Sequence, residues 1–162
     1  MASLPKRQHP VNARRTRAAE ELSRLVVQVF RLDGALTAAG DALARPTGQT
    51  SARWRVLAAV EREPLTVAQV ARAWSLSRQS VQRVADALAR DGLVAYEDNP
   101  GHRRAKLVRP TRRGAAALAA IQEAQRMWAN EVAGRIGAAE LESANAVLAR
   151  LLAILAERNS DA

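Results

Sequence analysis

The sequence predicts a mainly α, α+β fold: a central pair of short helices followed by a two-stranded hairpin, and a helical domain built from both ends of the chain. Three observations carry this expectation. Apolar residues recur at steps of three and four through most of the 162 residues, which is the period of a helix with one buried face. Hairpin signals gather in one place, between residues 93 and 108. The composition is 48% hydrophobic but only 3% aromatic, so the core is mostly Ala, Leu and Val, and a chain rich in Ala and Leu favours helix. The length suits one domain, or a domain with a helical appendage, and allows a real core to be buried.

Residues 1–12 hold two prolines and few apolar side chains and are expected to form a disordered basic tail. From 13 to 44 the pattern is helical. Leu22, Leu25, Val29, Leu32 and Leu36 step by 3, 4, 3 and 4, an apolar seam that serves either an internal core or a partner interface. Arg45-Pro46-Thr47-Gly48 breaks this helix. A second helix is expected from Ser51 to about Glu63, with Trp54, Leu57 and Ala58 on one face, Val56 and Val60 beside it, and Pro64 at its end.

The centre of the chain is the stretch Thr66 to Arg109. Thr66 followed three residues later by Gln69 fits a capping box. Val67, Val70, Ala71 and Trp74 then fall on one helical face. Ser75-Leu76 forms a short break, Ser77 is the next N-cap, and Gly92 stands where a helix ends. Within this second helix Val81, Val84, Ala85 and Leu88 make the buried face. The other face carries Arg78, Gln79, Ser80, Gln82, Arg83 and Asp86, and Arg, Gln and Ser near a helix N-terminus are side chains that bond base edges in a major groove. An ordinary solvated helix face has the same pattern, so the helix pair alone does not decide its role.

The hairpin adds the deciding signal. Leu93-Val94-Ala95-Tyr96 and Ala105-Lys106-Leu107-Val108 are β-prone runs around the turn cluster Asp98-Asn99-Pro100-Gly101, in which Gly101 is free to take a positive φ. His102, Arg103, Arg104 and Lys106 crowd the far side of the turn. A basic hairpin directly after such a helix is a wing, and an Arg at its tip suits a minor groove. After the hairpin, Thr111 caps a long helix whose Leu118, Ile121, Gln125, Trp128, Val132 and Ile136 share a face, with Gly134 and Gly137 weakening its end. Residues 140–158 make the last helix, with Leu141, Leu148, Leu151, Leu152 and Leu155 apolar. One two-helix-plus-hairpin module does not need three more helices for its own core. The expected organisation is therefore a tail (1–12), a helical dimerisation domain (13–45 and 111–158) and a DNA-binding module (50–110).

Charge is segregated in the same sense. Residues 1–17 carry +5 with no acid, residues 77–113 carry +5, and the rest sums to −1, out of a total of +9. That placement is expected of a phosphate-binding surface.

The run from Ser77 through Gly114, with SRQSVQRVADALARDGLV, NPGHRRAKLV and TRRG, resembles the MarR family of winged-helix transcription regulators. The likeness extends from about Ala19 to Glu157 and is specific in this central stretch. The family's wing usually carries Asp-x-Arg, the Asp helping to brace it. Here His102 and Arg104 occupy those positions, so the Arg is kept and the acid replaced; Pro110 stands where the family usually has Leu. The resemblance implies a homodimeric, sequence-specific regulator of double-stranded DNA, most often a repressor, placing two reader helices in successive major grooves of an inverted-repeat operator. By this likeness the DNA-contacting residues are Ser77, Arg78, Gln79, Ser80, Gln82 and Arg83 on the reader helix and His102, Arg103, Arg104 and Lys106 on the wing. It also implies release by a small aromatic or lipophilic effector entering a cleft beside the dimer helices, with Trp54 and Trp128 as wall residues, although Trp54 reads first as core.

Two other functions fit the composition less well. A non-specific architectural DNA-binding protein would use charge alone, against which the polar face of Gln79, Ser80 and Gln82 argues. A module binding protein through its wing sits poorly with +5 on residues 77–113. No nucleophile pattern and no phosphate-cradling glycine run points to an enzyme, and no cofactor or metal is expected. The chain has no cysteine, which excludes disulfides, Cys-based zinc sites and thiol sensing. With neither a signal-peptide pattern nor a run of 18 apolar residues, a cytoplasmic protein without a membrane span is expected.

Overall fold

The computed structural model describes residues 15–102 and 104–160. Its elements, in order, are α1 (Arg17–Ala44), a 3-10 turn (Arg45–Thr47), α2 (Ser51–Ala59), β1 (Leu65–Thr66), α3 (Val67–Ala73), α4 (Arg78–Arg90), β2 (Val94–Glu97), β3 (Leu107–Pro110), α5 (Arg112–Gly134) and α6 (Ala138–Ser160). The basic tail expected over 1–12 lies outside the described residues. The chain divides between Ala39 and Gly40 into two compact units. The described part of the first is the N-terminal stretch of α1, a helix that exposes Leu22, Val26, Val29, Phe30, Leu32 and Leu36.

The core of the second unit is one cluster. Val56 and Leu57 of α2 and Val60 just past its end meet Val70 and Ala71 of α3, Val81, Ala85 and Leu88 of α4, Leu93 at the corner before β2, Val94 and Val108 of the sheet, and Leu118 of α5. Side chains of medium volume close it without a central aromatic, as the composition requires; Trp54 and Tyr96 pack on its margin.

The helix ends follow local chemistry. Thr66 and Gln69 complete the capping box in both directions. Ser77 Oγ accepts from Ser80 N at 3.1 Å, and Thr111 Oγ1 accepts from Gly114 N at 3.1 Å. At the end of α4, Gly92 takes φ +70° while its N–H reaches Ala89 O and Leu93 N reaches Leu88 O, the pairing of a Schellman stop. The stop of α3 has the same bonds, Ser75 N to Arg72 O and Leu76 N to Ala71 O, with the non-glycine Ser75 at φ +51°.

Five expectations change. Trp74 does not share the buried face of α3. The helix ends at Ala73 and the left-handed Ser75 turns the chain away, leaving Trp74 44% exposed. Helix α2 stops at Ala59 rather than about Glu63. Val60 leaves the α region at φ −99°, and Glu63 precedes Pro64, whose ring disfavours helical geometry before it. The residues after that stop build a third strand: Leu65 pairs with Val108 and Thr66 with Leu107, giving the antiparallel order β1-β3-β2. Within the hairpin, β3 begins at Leu107, so Ala105 and Lys106 belong to the loop. Gly101 is not left-handed; His102 N bonds Asn99 O at 3.1 Å and Asn99 Oδ1 accepts from Gly101 N at 2.9 Å, so the asparagine shapes the turn.

One ion pair joins α2 to the corner where α4 ends. The Arg53 guanidinium bonds the Asp91 carboxylate, and Arg113 Nη1 donates to Asp91 O at 3.1 Å. The bond to Arg53 holds the Asp91 carboxyl below its usual 3.8. A depressed folded pKa contributes stability above the unfolded value and loses it as pH falls through the folded one. Asp91→Asn is therefore expected to lower the urea midpoint at pH 7 and to match the parent protein once the pH is well below 3.8, which paired titrations of the two proteins would read.

Candidate nucleic-acid interface

Helix α4 is amphipathic. Val81, Ala85 and Leu88 anchor one face in the core, which turns Arg78, Gln79, Gln82, Arg83 and Asp86 to the surface. The sheet then carries the chain back beside that helix. Between α4 and the wing lies an open groove of about 600 Å3. Arg78, Gln79, Gln82 and Asp86 line one side, Tyr96, Arg104, Ala105 and Lys106 the other, and Thr66, Val67 and Ala68 close the end at the start of α3. Three cations thus face one groove with one carboxylate among them.

The residues singled out from sequence divide accordingly. Arg78, Gln79, Gln82, Arg104 and Lys106 come together on the groove. Ser77 is committed to capping α4. Ser80 is half-buried, and Arg83 and His102 are exposed but not on the groove. Arg103 lies outside the described residues. Trp54 and Trp128 are both half-buried, Trp54 against the core cluster.

Sequence reasoning missed Tyr96. Its Oη donates to Asp86 Oδ1 at 2.7 Å, and Gln82 Nε2 approaches both Asp86 Oδ1 and Tyr96 Oη at 2.8 Å. Burial, and then the bond to the Asp86 carboxylate, push the Tyr96 hydroxyl up to about 12, so it remains a proton donor throughout the neutral range. Gln82 and Asp86 stand four apart on a helix, a spacing that brings their side chains together. That much was visible in the sequence; the arrival of a tyrosine from β2 was not. Across the base of the wing, Arg109 Nε pairs with Glu97 Oε1 at 3.1 Å.

Known proteins share both this stretch and the whole fold. The chain is 39% identical over 141 residues to the uncharacterized protein Rv2011c of Mycobacterium tuberculosis, covering 86% of this chain and 99% of that protein. The model of the MarR family matches residues 47–105, from the 3-10 turn into the wing. The chain belongs to the MarR family. Solved MarR structures share its architecture. The crystal structure of a MarR family transcription regulator superimposes with a TM-score of 0.77 at 23% identity, covering 90% of this chain and 97% of that one. The transcriptional regulator MosR of Mycobacterium tuberculosis, solved in complex with DNA, does so with a TM-score of 0.67 at 24% identity, covering 80% and 96%. The MarR membership and the winged-helix fold make this chain a DNA-binding transcription regulator, with α3 and α4 as its helix-turn-helix and the β2–β3 hairpin as its wing. Among the described residues no helix is long and apolar enough to cross a membrane.

Proposed function

We propose that the chain acts as a homodimer that binds an inverted-repeat operator in double-stranded DNA and represses transcription until a small aromatic or lipophilic effector binds. The observation that carries the DNA-binding part is the groove in which Arg78, Gln79, Arg104 and Lys106 converge from the reader helix and the wing. Helix α4 would lie in the major groove, where Arg and Gln bond base edges, and the wing cations would meet phosphates or the neighbouring minor groove. Dimerisation is supported by large apolar side chains left in water: Phe30 is 74% exposed on α1, and Val147, Leu152, Ile154 and Leu155 are exposed on α6. Soluble monomers rarely display so many, and a second copy is the partner a two-fold operator requires. The effector reading rests on the half-buried Trp54 and Trp128 and on the family resemblance.

The test needs an operator. An inverted repeat in the DNA flanking the gene supplies a candidate, and competition with random DNA separates specific recognition from architectural binding by charge alone. Arg83, exposed on α4 away from the wing groove, and Arg104, on the wing, are expected to differ as variants. Arg83→Ala should flatten preference at particular operator positions by roughly 1–3 kcal/mol. Arg104→Ala should weaken binding to every sequence and reduce the salt slope by about one unit. Titrations of both variants against the operator and its point mutants, at several salt concentrations, read the two effects separately. If Arg104→Ala binds as the parent does at both low and high salt, the hairpin is not a DNA-contacting wing.

A further inference from the structure

We propose that Tyr96 is a positioning residue for DNA recognition, tying the wing to the reader helix through Asp86 and holding Gln82 as part of the tie rather than as a free reader of bases. The proposal rests on the DNA-binding reading of the groove and goes beyond it. Tyr96 lies on β2, opposite Val108 and beside Glu97, the last residue before the wing loop. Its hydroxyl reaches across to Asp86, in the third turn of the reader helix, at 2.7 Å. A hydrogen bond to an ionised acceptor is stronger than one between neutral groups, and here the donor keeps its proton at neutral pH.

Gln82 closes the triangle at 2.8 Å from each partner. With both acceptors within hydrogen-bond reach, the Nε2 donors of Gln82 are engaged by Asp86 and Tyr96. The carboxamide is thereby turned toward the wing. Bidentate recognition of adenine needs a glutamine free to present its N–H and its carbonyl oxygen together. Gln82 spends that freedom on the brace, which leaves Arg78 and Gln79 as the groove-lining side chains of α4 available to bases.

Asp86 explains itself on the same account. A carboxylate among Arg78, Arg104 and Lys106 works against phosphate binding, and among the described residues its hydrogen bonds come from a phenol and an amide rather than from a cation. It is useful there as the acceptor that fixes the wing.

The test is a double-mutant cycle on the full-length protein. Tyr96→Phe keeps the ring that packs on the core and removes only the hydroxyl, so the thermal midpoint should stay within a few degrees of the parent. Operator affinity should fall roughly tenfold, the equivalent of one charge-assisted hydrogen bond at the weak end of its range. The salt slope should fall by about one unit, as in Arg104→Ala, because an unbraced wing no longer delivers its cation to phosphate. Adding Arg104→Ala to Tyr96→Phe should then cost little more. The brace is overturned if Tyr96→Phe binds as the parent does while Arg104→Ala is weakened, or if the two losses simply add. If Arg104→Ala and Arg78→Ala, the groove cations of wing and reader helix, both bind as the parent does, the DNA-binding reading of the groove fails, and the brace fails with it.

Discussion

Gly114→Ala is expected to destabilise the protein by about 3 kcal/mol or more, at or beyond the upper end of what overpacking usually costs. Gly114 lies in the first turn of α5, where the helix crosses the corner between α4 and β2. A Cβ built there falls 1.9 Å from Leu93 O and 2.9 Å from Leu93 C, distances that no side chain tolerates. Neither partner is free to retreat. Leu93 O accepts from Thr111 N at 3.0 Å, Leu93 N is bonded to Leu88 O at 2.8 Å, and Gly114 N is held by the Thr111 cap. Relief would require α5 to lift away from the module, breaking its cap and opening the core at Leu57 and Leu118. Gly134→Ala is the control: a Cβ there meets nothing within 4 Å, and alanine favours helix over glycine by up to about 1 kcal/mol. Urea unfolding followed by far-ultraviolet circular dichroism compares the three proteins. A Gly114→Ala midpoint equal to that of the parent would mean that α5 does not pack on this corner as described.

That glycine also marks what the sequence could and could not convey. The TRRG run was recognisable as part of a family signature, but the reason for its glycine is a carbonyl 21 residues away in the chain, which no local pattern reveals. Local chemistry was readable wherever one residue acts on its neighbours. The caps at Thr66, Ser77 and Thr111 and the stop at Gly92 needed only hydroxyls and a glycine at the right offset. Periodicity likewise marked Val81, Ala85 and Leu88 as the anchored face of α4, and therefore turned the opposite face outward. Strand β1 was not readable, because two residues carry no alternation and their pairing is decided by β3, some 40 residues on. Trp74 misled because three apolar residues at helical spacing invited a fourth, while the stop at Ser75 came first. The groove was half legible: its cations were visible as a basic run, whereas the triangle of Gln82, Asp86 and Tyr96 depends on the distance between a helix and a strand.

The second large effect concerns the terminal helices. Deleting residues 138–162 is expected to give a monomeric or poorly soluble protein whose operator affinity is lower by on the order of a hundredfold or more, because the second half-site is no longer bound at high effective concentration. The expectation rests on the exposed apolar residues of α6, which the module's own core does not use. Deletion alone would confound a lost interface with a damaged fold, so a point variant separates them. Leu152 is 69% exposed in the single chain. Leu152→Glu should leave the fold of one chain nearly untouched, since a surface substitution changes stability by within about 0.5 kcal/mol. Buried against a second copy, the same carboxylate would be unpaired and expensive. Light scattering of Leu152→Glu should therefore report a monomer, or a dimer that dissociates at far higher concentration, with a helical spectrum like that of the parent. A truncated protein that remains dimeric would assign the interface elsewhere than α6. A Leu152→Glu protein as dimeric as the parent would exclude this face of the helix, and the exposed apolar residues of α1, Phe30 among them, would then be the surface to vary.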